Sequence, residues 1–139
     1  MSLFVLDTDM LTLYQVGQAA VVQRVHDRAA SEIAITVISV EEQLGGWYTQ
    51  LRRVKKWSAL APVYERLANS VRSLKEMHIL SFTESAIRRR EDLVRGKVKI
   101  GKKDLAIAVI AMENNAVLVT RNRRDFQRIP GLQIEDWSQ

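Results

Sequence analysis

The polar and apolar positions of this chain fall into blocks. Leu3-Phe4-Val5-Leu6 is a continuous apolar run that stops abruptly at Asp7-Thr8-Asp9. A short run of this kind predicts a strand buried on both faces, as in a parallel sheet covered by helices. Ile33 to Ile38, with the β-branched core Ile35-Thr36-Val37-Ile38, predicts a second strand. His78 to Phe82 predicts a third and Val117 to Thr120 a fourth. A short fifth is expected around Leu132 to Ile134, after the turn at Pro130-Gly131.

Helical spacing fills the intervals. Met10 to Ala30 places apolar residues at Leu11, Tyr14, Val21, Val22 and Val25, with Gly17 as an interruption. Glu41 to Met77 predicts two helices broken or bent around Ser58 to Pro62, the first with Leu44, Trp47, Tyr48 and Leu51 on one face. Thr83 is the predicted N-cap of a helix with Ala86, Ile87 and Leu93 inward and Arg88, Arg89 and Arg90 mostly outward. Leu105 to Glu113 is apolar nearly all round, which predicts a buried helix. Strands alternating with helices give an α/β fold with a parallel sheet. With no repeat, low-complexity tract or linker, residues 1–139 read as a single domain.

Composition narrows the chemistry. No apolar run approaches the ~20 residues of a membrane span, and the start lacks the basic region of a signal peptide. The absence of cysteine excludes disulfides, thiolate catalysis and cysteine-bound zinc, and the cytoplasm is the simplest location. A net charge of +5, from 21 Lys and Arg against 16 Asp and Glu, points to an anionic partner, nucleic acid first. The segment Arg95 to Lys103 is basic and glycine-containing but lacks the P-loop pattern. Its lysines, Lys102 and Lys103 included, suit phosphate. Arg52, Arg53, Lys55 and Lys56 precede Trp57. They form either a phosphate-tracking stripe with an aromatic beside it or a solvated helix end favoured by the helix dipole.

The acids carry the functional reading. Asp7 ends the first strand, Glu42 opens the helix after the second, and Asn122 and Asp125 follow the fourth. A parallel sheet delivers all four to its carboxyl edge, where α/β proteins bind ligands. Asp104 joins them if the basic loop brings its helix back across that edge. Plainer roles exist for each: Ser39 and Glu42 have capping-box spacing, Asp104 can cap its helix, and Thr8 or Asp9 the first. Taken together, carboxylates a few ångströms apart repel by several kcal/mol at an effective dielectric of ~20. A divalent cation would neutralise them. An all-oxygen donor set suits Mg²⁺ or Mn²⁺, not zinc, and such an ion activates water against a phosphodiester. His26 and His78 are separated and read as ordinary strand-end or surface residues.

Four blocks in order then carry a family resemblance. They are Leu6-Asp7-Thr8-Asp9; Ile35 to Glu42 ahead of Gly45; Lys103-Asp104-Leu105-Ala106-Ile107-Ala108; and Val119-Thr120-Arg121-Asn122 with Asp125-Phe126 and Ile129-Pro130-Gly131-Leu132. The chain resembles the PIN-domain family and, within it, the VapC toxins of bacterial toxin–antitoxin pairs. The resemblance implies a three-layer α/β/α sandwich around a mainly parallel sheet of about five strands. It also implies a Mg²⁺-dependent endoribonuclease, with Mn²⁺ as a substitute, acting on RNA. Asp7, Glu42 and Asp104 match the acidic site, Asp7 and Asp104 as metal ligands, with Glu41 the fallback for Glu42. Many relatives have an aspartate where Asn122 stands, and Asp125 lies about one helical turn on as a second candidate. Thr8, Asp9, Ser39 and Thr120 would orient ligands, and Arg121 would contact phosphate. The implied partners are a VapB-like antitoxin and a second copy of the chain, with operator DNA bound only through the antitoxin. Two other readings stand beside this one: an RNA-processing nuclease without an antitoxin, and a PIN-like scaffold that binds without cutting.

Overall fold

The computed structural model describes residues 2–139. Five strands, β1 (Phe4–Leu6), β2 (Ile33–Thr36), β3 (His78–Leu80), β4 (Val117–Val119) and β5 (Ile134–Glu135), form one sheet in the order β3-β2-β1-β4-β5. Every neighbouring pair is parallel. The first strand is central because it is apolar on both sides: Phe4 is in register with Ile33 on one flank and Val117 on the other.

Side chains alternate across the strand, so two cores form. Val5, Ala34 and Leu118 pack beneath α5 (Glu84–Arg95) and α6 (Lys102–Glu113). Phe4, Leu6, Ile33, Ile35 and Val119 face the other way, against α1 (Thr8–Gln15), α2 (Ala19–His26) and the end of α4 (Leu60–Leu74). The result is the expected α/β/α sandwich. Leu105 to Ala111 are all at most 1% exposed, as the all-round apolar sequence requires. Among the described residues no helix is long and apolar enough to cross a membrane.

Several boundaries differ from expectation, each for a local reason. Val37 and Ile38 belong to α3 (Val37–Arg53), because the Thr36 side chain caps it by accepting from the Ser39 amide. The helical pair breaks at Val54 to Lys56, before a 3₁₀ turn (Trp57–Ala59), and Pro62 sits in the first turn of α4. A proline there displaces no intrahelical hydrogen bond. Gly17, at φ +82, separates α1 from α2. Thr83 caps α5 as expected. Ile87, expected inward, is 39% exposed. The inward face of α5 instead runs through Ala86, Arg90 and Leu93, with the Arg90 guanidinium 4.9 Å from the Phe82 ring centroid.

Trp137 closes the second core. It is fully buried, its ring lies 5.1 Å from that of Phe4, and its indole N–H donates to Glu135 at 2.9 Å. The Arg28 guanidinium lies 4.4 Å from the Phe4 ring centroid and 4.6 Å from that of Trp137. Trp137→Ala should cost about 3–5 kcal/mol through the cavity it leaves, read as a fall in the urea midpoint at unchanged slope.

Candidate active site

The strand order reverses between β1 and β4. Connections from β1 run outward through β2 to β3, and the chain returns to the other side of β1 for β4 and β5. Ligands collect in the crevice beyond the strand ends at such a switch point. Asp7 stands there. Its amide donates to the Val119 carbonyl at 3.0 Å, extending the β1–β4 ladder by one residue. Its carboxylate accepts from the Met10 amide at 2.8 Å. Asp7 is therefore the N-cap of α1, the role expected of Thr8 or Asp9, and it is only 6% exposed.

This cap turns Thr8 toward α3. The Thr8 hydroxyl lies 2.8 Å from the Ser39 hydroxyl and donates to Glu42 Oε1 at 2.7 Å. The alternative capping box of Ser39 with Glu42 does not form, because α3 begins earlier and Thr36 is its cap. Ser39 is instead buried in the first turn. Glu42, free of a capping duty, reaches the same cavity as Asp7.

Asp104 arrives from the far side. The α6 N-cap is Gly101, so Asp104 is the third helical residue and not a cap. The basic loop has carried its helix back across the carboxyl edge. Glu41 points away from the cavity and pairs with Lys103 at 3.6 Å, tying α3 to α6. Lys102 is exposed at the start of α6.

The β4 end supplies the last group. The buried Thr120 hydroxyl accepts from the Asn122 amide at 2.9 Å. Asn122 caps α7 (Arg123–Phe126), accepting from the Asp125 amide at 3.3 Å and donating through Nδ2 to the Asp125 carboxylate at 3.0 Å. Asn122 lines the cavity, whereas Asp125 stands behind it. Arg121 forms a two-pronged pair with Asp9, at 2.7 and 3.0 Å.

Asp7, Thr8, Asp9, Glu42, Asp104 and Asn122 thus share one open cavity of about 650 Å³ with Arg121. Thr12 also lines it, with no motif to single it out in the sequence, although it lies one turn from Thr8 on the same helix face. Among the described residues no three His, Asp or Glu side chains stand close enough together to enclose a metal ion unaided. The donor chemistry nonetheless fits a hard divalent cation: carboxylate, amide and hydroxyl oxygens, with no sulfur or imidazole. His26 and His78 lie elsewhere, lining a separate cavity by the amino ends of β2 and β3.

Known proteins resemble parts of this chain. No family model matches the chain. It is 38% identical over 68 residues to the tRNA(fMet)-specific endonuclease VapC of Salmonella typhimurium, covering 46% of this chain and 52% of that one. To ribonuclease VapC1 of Haemophilus influenzae it is 54% identical over 39 residues, 28% of this chain and 29% of that one. The chain thus spans about half the length, or less, of the curated relatives it matches. Solved structures extend the likeness. Against the DNA-bound VapBC of Salmonella typhimurium the TM-score is 0.76 at 27% identity, with 99% of both chains covered. The chain is VapC-like, with a PIN-type fold. VapBC-1 of Haemophilus influenzae, at 23% identity and a TM-score of 0.74 over 99% of both chains, shares the fold.

In this cavity Asp9 is paired with Arg121, whereas Asp7, Glu42 and Asp104 have no ion-pair partner among the described residues. Burial drives the Asp7 carboxyl up from 3.8 to about 6, with smaller upward pushes from Asp9 and Asp104. Hydrogen bonds from Thr120 and the Met10 amide hold it down in part. Burial also raises Asp104, helped by the charges of Glu42 and Asp125. A carboxyl with a raised folded pKa favours folding while protonated, and that contribution is lost as pH rises through about 6. In chelator, the Asp7 contribution to wild-type stability should therefore fall from about pH 4 and level off just above pH 6. Asp7→Asn keeps the capping oxygen but carries no charge. Its stability should stay flatter across that range and exceed wild type at pH 7.5, by up to about 3 kcal/mol. Urea titrations at each pH test this, and a wild-type curve that rises through pH 6 would contradict it.

Proposed function

We propose that this chain, as one PIN-like nuclease domain over residues 1–139, is a divalent-cation-dependent endoribonuclease and the toxin half of a toxin–antitoxin pair. One observation carries the reading: Asp7, Glu42, Asp104 and Asn122, from four separate segments, line a single cavity at the switch point of the sheet. The likeness to ribonucleases of the VapC type supports RNA as substrate. Likeness to the toxin of a VapBC complex supports a VapB-like antitoxin as partner. A homodimer, and operator DNA reached through the antitoxin, are part of the same proposal, the DNA supported by likeness to a DNA-bound VapBC.

Asp7 and Asp104, with Glu42 beside them, would hold Mg²⁺ or Mn²⁺. When bound, such an ion lowers the pKa of water and polarises the phosphodiester. The chain's own residues prepare the site. Thr8 fixes one Glu42 oxygen, and the Met10 amide and Thr120 fix Asp7, so the acids are aimed before any ligand arrives. Asn122 supplies an amide where a further charge would add repulsion. Its bond to Asp125 keeps that second carboxylate at one remove. Lys102 and Lys103 at the start of α6, and Arg121 at the rim, would receive the flanking phosphates.

Labelled total RNA, incubated with Mg²⁺ or Mn²⁺ and with chelator, tests the reading. Discrete cuts are expected from the wild type, none in chelator, and a loss of more than about 100-fold in Asp104→Asn, the scale of removing one positioned group. Cutting that survives chelation would overturn the metal-dependent site. A wild type that is stabilised by Mg²⁺ yet never cuts RNA would point to a binding scaffold instead.

A further inference from the structure

The hairpin of α3 and α4 ends in the most exposed large apolar residue of the described chain. Trp57 is 86% exposed at the tip, in the 3₁₀ turn that joins the two helices. Arg52, Arg53, Lys55 and Lys56 precede it, all exposed and, among the described residues, none in an ion pair. No acid occurs between Glu42 and Glu65. A helix dipole accounts for Arg52 and Arg53 in the last turn of α3. It does not account for Lys55, Lys56 or Trp57, which lie beyond that helix.

From the acidic cavity a groove leads along α3 as far as Gln50, about one turn short of Arg53. A second cavity of about 600 Å³ adjoins the first, sharing Thr8, Thr12 and Glu42. It runs along one face of α3 through Gln43, Gly46, Trp47 and Gln50. From Glu42 to the end of α3 at Arg53 the helix rises roughly 16 Å, a length within reach of a few nucleotides of single strand.

We infer that the α3–α4 tip is a docking surface for the single-stranded flank of the RNA substrate, with a base stacked on Trp57 and phosphates on Arg53, Lys55 and Lys56. The inference rests on the proposed ribonuclease reading. Charge complementarity selects the occupant, because a polyanion satisfies four unpaired cations and an indole face accepts any base. A second copy meeting this tip patch to patch would set like charges opposite one another.

Binding and cutting are measured separately. In the full-length chain carrying Asp104→Asn, a labelled RNA of about 16 nucleotides is titrated without divalent ions, and affinity is read by fluorescence anisotropy. Trp57→Ala should weaken binding about five- to tenfold, the low end for one stacked base, whereas Trp57→Phe should retain most of it. Lys55→Gln with Lys56→Gln should reduce the salt slope by roughly 0.7 for each phosphate no longer neutralised. Ile87→Ser, on the remote α5, should change neither. Unchanged affinity in Trp57→Ala overturns the inference. So does dissociation of a dimer in Trp57→Ala without loss of RNA affinity, which would assign the tip to a second copy. A weakened Trp57→Ala alongside a wild type that never cuts RNA would leave the docking surface standing and remove the nuclease.

Discussion

The site depends on the pairing of β1 with β4. That pairing is where the strand order reverses, and its last rung is the hydrogen bond from the Asp7 amide to Val119. One residue then serves three purposes. Asp7 ends the ladder, caps α1 through its carboxylate, and places a buried charge at the mouth of the crevice. The cap sets the first turn of α1, which aims Thr8 at Ser39 and Glu42. The orientation of α3 relative to α1 is thereby read out as the position of a second carboxylate. A shift of the β1 end by one residue would reverse which side chains face each core and unmake both.

The same geometry sets a tension. Asp7 sits where burial opposes its ionisation, and Asp104 feels both Glu42 and Asp125. Protein interiors seldom keep unpaired carboxylates without a use for them. The surrounding structure limits the repulsion without cancelling it. Asp9 is neutralised by Arg121, Glu41 is drawn out to Lys103, and Asp125 is held by Asn122. What remains uncompensated is Asp7, Glu42 and Asp104, which line one cavity from three different elements. The basic residues lie outside, on the loop before α6, at the rim and along the α3–α4 hairpin.

Much of this is legible in the sequence, and the failures share a cause. Strand identity and order of appearance follow from apolar blocks bounded by polar ones, and the buried α6 from its lack of a polar face. Thr83 is readable as a cap because an isolated strand ends just before it. The junctions at Asp7 and Thr36 are not, since each offers several adjacent capping residues: Asp7, Thr8 and Asp9 in one case, Thr36 and Ser39 in the other. Which one caps is decided by where the neighbouring strand's hydrogen bonds stop, a tertiary fact. The choice matters, because a cap at Ser39 would have left Glu42 the plainer capping role, which the cap at Thr36 removes. Asp104 goes the same way, as a cap reading that Gly101 removes. Trp137 carries no local signal, since its burial depends on Phe4 and Arg28, more than a hundred residues earlier.

Arg121 shows how a pairing in the resting structure bears on a role in binding. Its guanidinium grips Asp9 with two hydrogen bonds, which taken alone would assign it to scaffolding. Yet both side chains are about half exposed, at 50% and 51%. Ion pairs that wet contribute only about 0–1 kcal/mol, so opening this one costs little. A phosphate offers the same two-oxygen edge as a carboxylate to the guanidinium fork. Exchange of Asp9 for phosphate at Arg121 would return one negative charge to the cavity wall next to Asp7. That is tolerable only if a cation enters with the nucleic acid, so occupancy by metal and by substrate phosphate should favour one another.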